Sequence, residues 1–448
     1  MKKSSHKWSL RVFWLLVALL LALSAHFRFW NDERIISWDI SLYYSYLPLT
    51  FIYQDPGLEK DESVKAWEGL KHFALHEDDE GRKFVKMTCG LAYLYSPSFF
   101  LAHLYSLASP HYEANGFSLP YRIGLLLSTS LFALAGLWFL RKLLLRFFKD
   151  GAVAITLIAT FLGTNLLYYS LKEPMAHAYN FFLASLILYL TFRYFDKKSL
   201  LKAFLIGAFS GLLTLIRPTD AIILLFPIIL FIKYEGSRWT AHLPNLLIAI
   251  LAGLLVISPQ LFYWHYMAGK WLVYTYTDEG FFFSDPEIWK GLFSYRKGWV
   301  IYSPVLVFAG IGFGFLWFKN RLFAIASAVT LFIALWVTFS WWSWWYGGGF
   351  GARPMIDFLP LLGFAFAAVF EKLLKAPPLV KFPVLTVAFA LCFLSVFYTK
   401  QYKSSIIHYD SMSKELFWKQ FLIDHFVDNY DQYLDPPDYD AAKLNEDD

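Results

Sequence analysis

Apolar runs recur along this chain with short polar stretches between them. Most are roughly 18–22 residues long, the length at which an α-helix crosses a bilayer. The pattern predicts an all-α polytopic membrane protein with about 11 spans, near residues 9–29, 121–140, 151–170, 177–194, 201–216, 220–233, 242–258, 300–318, 322–340, 355–371 and 381–398. Basic residues cluster between the runs: Lys2, Lys3 and Lys7; Arg141, Lys142, Arg146 and Lys149; Arg193, Lys197, Lys198 and Lys202; Lys233 and Arg238; Lys319 and Arg321; Lys372, Lys375 and Lys381. Such clusters mark the cytoplasmic side. The N-terminus is then expected inside and the C-terminus outside, with a first outer loop over about 30–120 and a second over about 259–299. The spans form one unit over 1–398, followed by an acidic extracytoplasmic tail over 399–448, whose end "NYDQYLDPPDYDAAKLNEDD" is expected to be solvated.

Two stretches resist a simple count. Residues 91–109, "LAYLYSPSFFLAHLYSLAS", are long enough to span, but a span here would place the next basic cluster outside. Their Tyr, Ser and His content and Pro97 suit a helix lying in the interface. A true second span is the alternative. Residues 203–232 would make one helix of roughly 45 Å, too long for a hydrocarbon core of about 30 Å. Arg217-Pro218 should break it into a re-entrant hairpin, because proline removes a donor and disfavours helix before it.

Composition agrees with the pattern. The 448 residues are 57% hydrophobic and 17% charged, against about 45–50% and about 25% in soluble domains. The net charge of +5 lies in the topology clusters, so no nucleic-acid partner is expected. Two cysteines, Cys89 and Cys392, allow no metal-ligand spacing, and both thiols are expected to be free. The first apolar run is expected to be a retained anchor; a cleaved signal peptide is the alternative. No internal repeat is visible, which weighs against a transporter built from inverted halves.

Charged residues at membrane depth are costly and usually have a reason. On the expected outer side these are Asp39, Asp55, Lys86, Arg122, Glu173, His177, Arg217, Asp220, Arg353 and Asp357. Each has a plain structural explanation. Arg122 could reach headgroups, and Asp220 and Asp357 could cap helices or pair with Arg217 and Arg353, three and four residues away. Their shared sidedness points further. A bundle would gather them over one cavity, with carboxylates to take protons and cations to hold an anion. Glu173 and His177 in "KEPMAHAYN" are spaced i, i+4, so a helix would set them on one face as a hydrogen-bonded pair or two ligands of a divalent metal. "WWSWWYGGGFGARP" joins a glycine-rich turn to Arg353 and lacks the Lys-Ser/Thr of a P-loop, although its amides could cradle an anion. Its Trp344 and Trp345, and Tyr43 and Tyr44 of "SWDISLYYSYLP", are expected to contact substrate or to form part of an interfacial aromatic belt.

Over roughly residues 9–360 the chain resembles the GT-C superfamily of integral-membrane glycosyltransferases, in particular the protein O-mannosyltransferase and aminoarabinose-transferase branch. The resemblance rests on "DISLY" after the first span, where the family often has Asp-Glu-x-x-Tyr, and on "KMTCGLAYLYSPSFFLAH", where it has Lys-Pro-Pro-Leu and an interfacial helix. It also rests on "YRIGLLLSTSLFALAGLWFLRKLLLRF" and on the turn "GLLTLIRPTD". Ile40 replaces the second acid, and Met87 and Thr88 replace the two prolines. The resemblance implies a polyprenyl-phosphate sugar donor, a glycan, lipid or protein acceptor, surrounding membrane lipids, and a place in a bacterial cytoplasmic (inner) membrane. It also implies that Asp39 is the catalytic base and that Lys86 and Arg217 hold the donor phosphate, with Arg353 as a further candidate. Asp55 is the alternative acid. The implied reaction is a single displacement with inversion at the anomeric carbon. A carrier or flippase for lipid-linked glycans would instead need ionisable groups along the inner half of its path. A non-enzymatic assembly protein would need no grouping of acids and cations.

Overall fold

The computed structural model describes residues 6–68, 75–77 and 80–445. Helix α1 (Lys7–Phe27) is followed by the first connecting region. That region holds α2 (Trp38–Phe51), α3 (Asp61–Glu68), a two-stranded antiparallel hairpin of β1 (His76–Glu77) and β2 (Lys83–Phe84), and α4 (Gly90–Ala108). Then come α5 (Leu119–Leu144), α6 (Asp150–Leu162), the short α7 (Leu166–Leu171), α8 (Ala176–Asp196) and α9 (Leu200–Ile216). A bent helical run over Pro218–Ala268 contains α10 (Leu225–Glu235) and α11 (Leu243–Ala268). The second connecting region carries α12 (Ile288–Phe293) and α13 (Trp299–Tyr302). The chain continues through α14 (Leu306–Lys319), α15 (Arg321–Phe339), α16 (Leu359–Leu373) and α17 (Pro378–Lys403), and ends with α18 (Lys414–Lys419) and α19 (Tyr439–Lys443).

Helix covers the core of every apolar run read from the sequence. Among the described residues, six helical segments are long and apolar enough to cross a membrane, and α6, α9 and α14 are shorter apolar helices. The 19-residue α4 is not among the six. The break after α9 falls where proline requires it: Arg217 is extended, and Pro218 opens a 3-10 turn over Pro218–Leu224.

The segment Arg353–Leu373 is the hub, with 94% of its apolar stretch buried, against 11% for Pro218–Ala268 at the periphery. Helices α8 and α16 are buried on nearly every face. Helix α9 lies backbone to backbone on α11, because a Cβ on Gly207 would stand 2.0 Å from the Ala249 carbonyl oxygen and one on Gly211 would stand 2.7 Å from Gly253. Both cysteines are free and buried.

The described part of the acidic tail, 429–445, is mostly exposed, as expected, whereas the residues that lead into it pack on the bundle. Ile406, Ile407, Met412, Leu416 and Phe417 are buried. Tyr439 packs on Trp345, and Lys443 pairs with Asp278 at 2.8 Å. The region's acidic composition concealed a spaced set of apolar anchors.

Candidate functional site

The directions of three helices define the site. Helix α8 begins beside His177 and ends at Arg193, while α16 follows Asp357 and ends at Lys372. Helix α9 runs the other way, from Lys202 to Arg217. Candidate residues therefore collect at one end of these helices and topology-type basic residues at the other.

The deepest part is a closed polar network. His177 Nδ1 lies 3.2 Å from both carboxylate oxygens of Asp357. Arg217 Nη1 lies 3.5 and 3.4 Å from the two ring nitrogens of His177, so the guanidinium rests against the ring instead of pointing at one lone pair. Its Nε is 3.8 Å from Asp220, and Asn180 Nδ2 donates to Asp220 at 2.5 Å. His177, Asp220 and Asp357 have side chains only 1–3% exposed. Burying these groups is tolerable because they satisfy one another.

Above this network the site opens. Asp39 occupies the first turn of α2, and its side chain is 35% exposed. Arg353 Nη2 reaches it at 3.4 Å, and Nη1 donates to Met175 Sδ at 3.2 Å. The Nε–H of Arg353 is buried without a partner among the described residues. The guanidinium thus keeps donor capacity in reserve. Lys86 comes from the first connecting region and pairs with Glu279 of the second at 2.9 Å, with its ammonium 4.6 Å from the Tyr276 ring centroid. Tyr276 joins these groups. Burial pushes its phenol up to about 12, and the nearby Asp39 charge adds to the effect, so the phenol stays a hydrogen-bond donor at neutral pH. Asp39, Lys86 and Arg217 thus gather near one half-buried tyrosine, Arg353 joins them through Asp39 and Arg217, and Tyr43 lies a helical turn beyond Asp39.

Two of the left-handed residues of the chain lie at this site. Trp38, immediately before Asp39, has φ 51°, and Tyr346, whose ring faces the Arg217 guanidinium at 5.8 Å, has φ 57°. Left-handed backbone in bulky residues costs about 1–3 kcal/mol each and tends to occur at functional sites.

Several expected roles do not fit the observed positions. Glu173 and His177 form no pair, since Pro174 delays α8 to Ala176 and Glu173 lies outside the helix, accepting from the Tyr168 hydroxyl at 2.7 Å. Among the described residues, no group of three or more His, Cys, Asp and Glu side chains could hold a metal ion. Asp55 caps a local turn, accepting from Glu59 N, Lys60 N and the Ser63 hydroxyl. Tyr44 is wholly buried and donates to the Gly116 carbonyl at 2.5 Å. Trp344 and Trp345 are also buried, so neither belongs to a lipid-facing belt. Arg122 faces Glu33 at 3.8 Å. The sequence reading passed over Glu279, Tyr276, Asn180, Tyr346 and Lys297. The usable signal was an acid or cation beside glycine in an aromatic loop, as in "YTYTDEGFFF" and "YRKGW". A cavity of about 740 Å³ between α4 and α5, lined by residues such as Leu94, Leu101, Ile123 and Leu131, involves none of the candidates.

No protein-family model matches the chain, and no curated protein does. Solved structures do. The chain is similar in fold to ArnT. With ArnT from Cupriavidus metallidurans bound to undecaprenyl phosphate the TM-score is 0.51 at 14% identity, covering 86% of this chain and 65% of ArnT. The apo form of ArnT gives the same TM-score at 12% identity, covering 86% of this chain and 64% of ArnT. The chain thus spans just under two thirds of ArnT. At this identity the likeness is one of architecture alone.

Proposed function

We propose that this protein is a membrane glycosyltransferase that moves a sugar from a polyprenyl-phosphate-linked donor to an acceptor hydroxyl at the extracytoplasmic face. The observation that carries this reading is the pairing of the accessible Asp39 with Arg353, with Arg217 near Arg353 and with Arg217 and Lys86 near Tyr276. An accessible carboxylate stands there against one guanidinium, with two further cations in the same group. Donor binding would draw Arg353 from Asp39 onto the phosphate, because charge-assisted guanidinium–phosphate bonds are stronger and better directed than a 3.4 Å contact. Asp39 is then free to accept the acceptor's hydroxyl proton. As the oxygen–C1 bond forms, the bond from C1 to the phosphate oxygen breaks, and its electron pair leaves on a phosphate held by Arg353, Arg217 and Lys86. Attack opposite the leaving phosphate inverts the anomeric carbon.

The ArnT bound to undecaprenyl phosphate supports the choice of ligand class by its fold alone. The test is Asp39→Asn, which keeps shape and removes the base. Transfer from polyprenyl-phosphate sugars should fall by at least the roughly 10²-fold typical of general-base loss, while polyprenyl-phosphate binding persists. Unimpaired transfer by the purified variant would remove Asp39 from the mechanism.

A further inference from the structure

Lys297 lies between α12 and α13 and has no place in the reaction above. It is 2% exposed. Its ammonium donates to two backbone carbonyls, those of Gly349 and Tyr409, and lies 6.0 Å from the Tyr402 ring centroid. It forms no ion pair among the described residues. A buried ammonium usually takes a carboxylate partner, because carbonyls repay less of the desolvation cost. Burial, with the Arg353 charge adding, pushes it down to about 7, against the opposing pull of Asp410 and Glu173.

What the ammonium holds accounts for its position. Gly349 lies in the turn that delivers Arg353, and a Cβ there would stand 3.2 Å from Arg353 Cδ. The turn is also tied by Phe350 N donating to the Tyr169 hydroxyl and by Asn165 Nδ2 donating to the Phe350 carbonyl. Of these ties, Lys297 is the one that reaches outside the bundle. Tyr409 belongs to the C-terminal region, and its carbonyl also accepts from Gly349 N at 3.4 Å. Three stretches distant in sequence thus meet at one amine.

We propose that Lys297 is a positioning residue that sets the Arg353 guanidinium through Gly349 and makes the docked C-terminal region part of the donor-phosphate site. This rests on the reading that Arg353 holds the donor phosphate. In energetic terms, the buried amine converts docking of residues 405–412 into order in the glycine turn, and that order aims the guanidinium.

The experiment compares Lys297→Met, Arg353→Ala and the double variant, using full-length protein in nanodiscs and a short-chain polyprenyl phosphate as probe. Amide hydrogen exchange is followed at residues 347–351 and 405–412. Lys297→Met should weaken binding about tenfold in the wild-type background and raise exchange in both segments together. It should change binding less than twofold when Arg353 is already alanine. Lys297→Arg should recover part of the lost affinity. If Arg353→Ala binds the probe like wild type, the phosphate reading fails. If Arg353→Ala loses binding while Lys297→Met retains it, only the role of Lys297 fails. A Lys297→Met protein that unfolds, or that loses binding equally in both backgrounds, marks Lys297 as structural and overturns the proposal.

Discussion

Arg217 and Arg353 each precede a proline and each enter a 3-10 turn, yet their surroundings are built to different ends. Around Arg217 the partners are fixed and dry, with Asp220, His177 and Asp357 almost fully buried. Around Arg353 the contacts are few, the carboxylate partner is partly open to solvent, and one buried N–H has no acceptor among the described residues. A guanidinium set among dry, mutually paired groups contributes to a fixed frame. One with a buried spare donor beside an accessible acid can exchange partners. The contrast divides the site into a frame that should fail by unfolding and a mouth that should fail by losing ligand.

The largest effect should come from breaking the frame. Asp220→Ala strands Arg217 and Asn180 and should cost about 3–5 kcal/mol, as removal of one member of a buried charge network does. Thermal melting in detergent measures it, and an unchanged midpoint would erase the distinction. Arg353→Lys and Arg217→Lys sharpen it. Lysine keeps the charge but loses the planar fork. At Arg353, polyprenyl-phosphate affinity should fall about tenfold, about one charge-assisted hydrogen bond's worth, with little change in melting. At Arg217, affinity and melting should fall together. Identical behaviour of the two variants would show that the two surroundings are equivalent.

A smaller effect should follow at the rim. Glu279 pairs with Lys86, and both side chains are 22–27% exposed. Such pairs are worth about 0–1 kcal/mol, so Glu279→Gln should tighten polyprenyl-phosphate binding by up to about fivefold. Weaker binding would mean that Glu279 positions Lys86 instead of competing for it.

The smallest effect lies outside the site, at Asp55. Burial works to raise its carboxyl, but hydrogen bonds from the Ser63 hydroxyl and from Lys60 N and Glu59 N outweigh this and hold it below the ordinary range. A carboxylate lowered in the folded state stabilises fully above its unfolded value, about 3.9, and loses that contribution as pH falls through the lower folded value. Because asparagine caps nearly as well as aspartate, Asp55→Asn should therefore differ from wild type in stability at pH 6 by only about 0.5 kcal/mol, read from thermal melting, and converge with it at the acid end.

The helices were legible in the sequence because apolar length is a direct consequence of bilayer thickness. The identity of the charged residues was also legible, because a charge at membrane depth stands out against its neighbours. Their pairing was legible only where it is local: Arg217 and Asp220, three residues apart, do face each other at 3.8 Å. Arg353 and Asp357 looked like an i, i+4 pair, but Arg353–Phe358 is a 3-10 helix of about three residues per turn, in which such positions diverge. Arg353 instead meets Asp39, 314 positions away in sequence, and Asp357 meets His177. Aromatic residues were ambiguous for another reason. Tyr44, Trp344 and Trp345 have the composition of a belt, a sugar platform or a core, and only packing distinguishes these.

The length of α9 has a mechanical consequence for the lipid around it. Its 17 residues rise about 26 Å, a few ångströms short of a hydrocarbon core of about 30 Å. If the helix starts at the cytoplasmic surface, its far end stops below the opposite headgroups. A short segment is accommodated by thinning of the bilayer or by polar groups and water drawn inward. Hydrophobic mismatch at this helix would lower the membrane surface to the depth of Arg217, so that a lipid-borne phosphate reaches the guanidinium without being lifted out of its own leaflet.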